Sequence, residues 1–99
     1  MVFTVTLDKL REHQSSVNQE KWTALLLNWD LMLRIEAEIT GAMEAADARC
    51  AMLLTPQPQT GSIRVEYQWL GRNATNCGPA EADFFTHVVF KTILKYTGV

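Results

Sequence analysis

Ser62-Ile63-Arg64-Val65-Glu66-Tyr67-Gln68-Trp69 alternates without interruption, with Ile63, Val65, Tyr67 and Trp69 on one side and Arg64, Glu66 and Gln68 on the other. A period of two belongs to a half-buried strand, and this segment separates a mixed fold from a mostly α one. A lone strand leaves its backbone N–H and C=O groups unpaired, so it needs neighbours. Across the turn-forming Pro56-Gln57-Pro58-Gln59-Thr60-Gly61 lies Cys50-Ala51-Met52-Leu53-Leu54-Thr55, its expected antiparallel partner in a hairpin. At the start of the chain Val2, Thr4 and Thr6 alternate against Phe3 and Val5, which makes residues 1–6 a candidate third strand.

Elsewhere the period is helical. Leu7 and Leu10, separated by charged residues, predict a short helix over residues 7–14 with Thr6 as its cap. From about Gln19, the residues Trp22, Leu25, Trp29, Met32, Ile39 and Met43 follow steps of three and four, with Glu36 in the single non-apolar place. That series predicts one long amphipathic helix that passes Gly41 and ends before Cys50. The same spacing extends through Ala46, Cys50 and Leu53, so residues 41–54 read either as continued helix or as strand. A second apolar side runs through Ala24, Leu27, Leu31 and Ile35, with a polar strip of Thr23, Asp30, Arg34 and Glu38 between the two.

Residues 70–79 read as loop. A final helix follows from about Ala80, with Glu81 and Asp83 in its first turn, Lys91 and Lys95 towards its end, and Gly98 as its stop. Its expected buried face is Phe84, Phe85, Val88, Val89, Ile93 and Tyr96. The resulting fold class is α+β in a single domain over residues 1–99. It consists of a short N-terminal segment and helix, one long central amphipathic helix, a β-hairpin in a small antiparallel sheet, and a C-terminal helix.

Composition narrows the function classes. An apolar fraction of 47% with 20% charged residues is that of a folding globular chain. The net charge of −2 and nine scattered basic residues give no electrostatic footprint for nucleic acid. Apolar runs are broken by Asn28 and Asp30, far short of the roughly 20 residues a bilayer span needs, so no membrane association is expected. The start lacks a basic region ahead of its apolar stretch, which argues against a secretory signal and for a cytoplasmic protein with Cys50 and Cys77 as free thiols. In that compartment the sequon Asn73-Ala74-Thr75 has nothing to act on it.

Glu36 is the first residue to weigh for chemistry, because the helical series places a carboxylate on the face expected to be buried. Burial of a carboxylate is costly unless it is paired or hydrogen-bonded. It therefore lines a pocket, pairs with Arg34, Arg49 or Arg64, or sits where the helix turns outward. His87 lies one turn from Asp83 and Lys91, and His13 lies in the first helix or the loop after it. With Glu36 or a cysteine these could build an acid–base pair or a metal site, but no Cys-x-x-Cys, His-x-x-x-His or Glu-x-x-His spacing is present. No metal and no cofactor are expected. The loop before the last helix has no phosphate-loop consensus, and no motif carries a function over by resemblance.

Three functions follow. A helix apolar on two sides, in a chain with one other substantial helix, leaves surface for a second copy, and a homodimer through Leu27, Leu31 and Ile35 is the leading expectation. The second reading, which leaves an enzymatic role open, is a pocket for a small apolar ligand between the long helix and the sheet. It would be lined by Glu36, Trp29, Met32, Tyr67, Trp69 and His87. The third is a patch for a different protein partner, which looks the same in sequence as a patch for a second copy.

Overall fold

The computed structural model describes residues 1–48, 50–70 and 79–98. The alternating segment is a strand, β3 (Ser62–Trp69), and it takes the middle of a three-stranded antiparallel sheet. Its neighbours are β1 (Val2–Thr6) on one side and β2 (Cys50–Gln57) on the other. Ile63, Val65 and Tyr67 are buried on the inner face with Val5 and Leu54, while Val2, Thr4, Leu53, Arg64 and Gln68 lie exposed on the outer face. Arg64 and Glu66 pair at 3.1 Å on that open side. The β2–β3 hairpin turns through Gly61, whose φ of 66° is in the left-handed region. Gly61 also accepts a hydrogen bond on its carbonyl from Trp22 Nε1 at 3.2 Å.

Four helices are described: α1 (Leu7–His13), α2 (Gln19–Leu26), α3 (Trp29–Ala45) and α4 (Pro79–Thr97). Thr6 caps α1 as its position predicts, its side chain accepting the Lys9 N–H at 3.2 Å. The chain folds back at the other end too. Asn18 caps α2, and its own N–H donates to the carbonyl of Thr97 at 2.9 Å, joining the start of α2 to the end of α4.

The single long helix of the sequence reading is two helices. Leu27 and Asn28 close the last turn of α2 with tight bonds to Ala24 and Leu25, and Asn28 then leaves helical geometry at φ −110° and ψ 96°. Its Oδ1 accepts the Leu31 N–H at 3.0 Å, which makes it the N-cap of α3. Asparagine competes for backbone donors better at a cap than inside a helix, and Asp30 in the first turn adds a favourable charge. We expect Asn28→Ala to destabilise the domain by about 1 kcal/mol in urea unfolding. An unchanged midpoint would mean that packing alone holds the break.

The break rotates the inward face of α3. Met32, Ile35, Ile39 and Met43 are buried, so Ile35 takes the inward place that the uninterrupted series assigned to Glu36, and Trp29 swings out. Gly41 lies inside α3 as expected. The ambiguity of residues 41–54 resolves at a left-handed cap, with Asp47 at φ 56°, its N–H donating to Glu44 and the Ala48 N–H to Met43 at 2.8 Å. This Schellman closure stops the helix and frees the chain to start β2. In α4 the buried face is Phe85, Val88, Val89, Phe90 and Ile93; Phe84, expected inside, is exposed because it sits about 100° round the helix from Phe85.

Candidate functional site

α3 lies along the outer edge of β2, and its Glu36 belongs to that contact. Met1 and Tyr67 exchange backbone hydrogen bonds, so the odd-numbered residues of β3 face β1 and the even-numbered ones face β2. Through the register Glu66↔Leu53 and Arg64↔Thr55, this leaves the backbone groups of Leu54 and Pro56 pointing away from the sheet. Pro56 has no N–H to orphan there. Leu54 has one, and Glu36 Oε1 accepts it at 2.8 Å. The carboxylate therefore satisfies an edge-strand donor and blocks edge pairing, a known liability of open sheets. Arg64 pairs with Glu66 instead of Glu36, and Arg49 lies outside the described residues.

The structure places the other residues of the expected pocket as follows. Met32 is buried in the core, Tyr67 stacks on Phe85 with ring centroids 4.1 Å apart, and Trp29 is 61% exposed at the start of α3. Trp69 ends β3 opposite Cys50, and its side chain lies outside the described residues, as does Cys77. Among the described residues no buried side-chain N or O lacks a hydrogen bond. The expected interface divides as well. Leu27 is 71% exposed, Leu31 is half-buried against the core, and Ile35 is wholly inside, because the helix break turns that side towards α4 and the sheet.

Apolar surface is exposed instead on the flank of α3 next to Glu36. Trp29 and Leu33, one turn apart and 61% and 51% exposed, share that flank, and Leu27 precedes them at the break. On the opposite flank α3 is clamped to α4. The Tyr96 hydroxyl donates to Glu38 Oε1, and Lys95 Nζ lies 3.3 Å from Glu38 Oε2. The Tyr96 hydrogen bond, with help from Lys95, holds the Glu38 carboxyl below its ordinary value against the opposing effect of desolvation. The same bond raises the Tyr96 hydroxyl.

His87 sits elsewhere. It lines a cleft of about 560 Å³ between the end of α1 and the outer side of α4, together with His13, Asp83, Lys91, Phe90 and Leu94. No protein-family model, curated protein or solved structure matches this chain.

Among the described residues neither thiol nor metal chemistry gains support from the geometry. Burial, with a smaller contribution from Glu44, pushes the Cys50 thiol up, which disfavours the nucleophilic thiolate. Among the described residues no group of three His, Cys, Asp or Glu is placed to hold a metal ion. No described helix is long and apolar enough to cross a membrane.

Proposed function

We propose that this chain is a homodimeric interaction module that pairs through the exposed flank of α3. The observation that carries the reading is the pairing of Trp29 and Leu33 on one helix flank with Asp30 and Arg34 beside them, all four exposed. Scattered exposed apolar residues need no explanation, but adjacent large ones on a single face mark contact surfaces. Two antiparallel copies of α3, related by a two-fold axis level with position 31, set Trp29 against Leu33 of the second copy. The same operation leaves Asp30 about two residues, roughly 3 Å along the axis, from Arg34 of the second copy, within reach of the long arginine side chain. Apolar and charged positions thus complement themselves under one symmetry operation, as an isologous interface requires. Fully burying an apolar side chain contributes about 1.5–3 kcal/mol, and a stable interface covers about 800 Å² per partner. Leu27 and the polar rim of α3 have to join the contact to reach that size.

Light scattering after size exclusion, over a dilution series, tests this. The wild type is expected to run as a dimer at micromolar concentration, and Leu33→Glu as a folded monomer. Leu31→Glu, which faces the core, should instead destabilise the fold. Asp30→Arg alone should weaken the dimer by setting arginine against arginine, and Asp30→Arg with Arg34→Asp should restore it. A wild type that stays monomeric throughout, or a double swap that fails to recover, rejects the antiparallel α3 dimer.

A further inference from the structure

Both histidines of the chain line the same cleft, although one ends α1 and the other lies mid-way along α4. We infer that this cleft is a binding site for a small organic anion with an aromatic body, of the aryl carboxylate class. Its floor is apolar, formed by Phe90 and Leu94, and the His13 ring lies over Phe90 with centroids 4.6 Å apart and a tilt of 39°. Phe90 is buried while His13 is exposed, so the outer face of the imidazole is open to stack a planar ligand.

The hydrogen-bond donors on the walls favour an anionic ligand. Lys91 lies one turn beyond His87 and, among the described residues, has no ion pair, whereas Lys95 at the far end is committed to Glu38. Asp83, one turn before His87, is the one carboxylate among the described lining residues. Lys91 and the N–H groups of the two imidazoles therefore set donors from three residues against one acceptor carboxylate. A carboxylate fits between Lys91 and His87 with its ring on the open face of His13, beside Leu94. The cleft volume falls within the roughly 300–1,000 Å³ of ordinary small-molecule sites. None of these residues lies on α3, so the site stands or falls separately from self-association.

Benzoate is the probe, titrated into the full chain and followed by NMR of the histidine rings and backbone amides. Saturable shifts of both His13 and His87 are expected, with benzyl alcohol and inorganic phosphate each binding at least about fivefold more weakly. Each comparator lacks one half of the recognition, charge or ring. Lys91→Glu should weaken benzoate by about fivefold and Asp83→Asn should tighten it by about twofold, in keeping with the size of exposed charge pairs. Both residues are exposed, and unchanged amide spectra away from the cleft confirm that the variants fold. The inference is overturned if the histidine shifts do not saturate or the shifts centre elsewhere. It is equally overturned if benzyl alcohol or phosphate matches benzoate, or if the two charge variants leave the midpoint unmoved.

Discussion

Phe85→Ala is expected to cost about 3–5 kcal/mol, the range for emptying a buried aromatic site. A domain of this size has about 5–15 kcal/mol of total stability, so the variant should be partly unfolded at room temperature or melt about 15–30 °C lower. The size of the effect follows from where the ring sits. Phe85 is fully buried near the start of α4, stacked on Tyr67 of β3 at 4.1 Å and edge-on to Phe3 of β1 at 6.1 Å. One side chain thus ties the last helix to two strands, and each aromatic pair adds about 0.5–1.5 kcal/mol beyond its buried area. Phe84→Ala is the internal control, since that neighbouring ring is exposed and should cost less than about 1 kcal/mol. Urea unfolding of both variants makes the comparison. If the two losses are equal, α4 is not seated on the sheet through Phe85.

Glu36→Leu should destabilise the protein by about 1.5–3 kcal/mol, the magnitude of a hydrogen bond to a charged group with its donor left unmet. Two physical effects compete at this position. If Glu36 were a poorly paired carboxylate in an apolar setting, leucine would be an improvement and stability would rise. The 2.8 Å bond from Leu54 N–H decides for the loss, because leucine removes the one acceptor that the outer edge of β2 receives there. Glu36→Gln retains a carbonyl acceptor and should cost less than about 1 kcal/mol. Amide hydrogen exchange gives the local readout, with Leu54 expected to lose protection in the leucine variant and to keep most of it in the glutamine one. Unchanged exchange at Leu54 in Glu36→Leu would remove the edge-capping role.

Much of the candidate chemistry was legible only in part, and particular residues show why. Glu36 stands out in the sequence because it interrupts an apolar series, and the structure does give it a buried-side partner. That partner is a backbone amide on a strand edge, however, and spacing along a helix carries no information about which strand edge it faces. The cap at Asn28 was readable, since an asparagine followed by Trp29, Asp30 and Leu31 has the form of a helix start. It was hidden by the continuity of the apolar steps on either side of it. The meeting of His13 with His87 has no sequence signal, because each ends up in the cleft through the docking of a different helix.

By itself the sequence determined the elements and their local chemistry. The alternation of β3, the Pro/Gly turn before it, the Thr6 cap and the periodic run of α4 are all set by interactions between residues a few places apart, and such interactions are written in order along the chain. Only the tertiary structure decided which faces those elements turn inward. A two-residue break at Leu27 and Asn28 lets α3 rotate against α2, and packing on the sheet and α4 then selects Ile35 for the core, Glu36 for the strand edge and Trp29 with Leu33 for solvent. Burial is a property of contacts between distant segments. A helix with apolar residues on two sides can satisfy more than one such arrangement until its neighbours are in place.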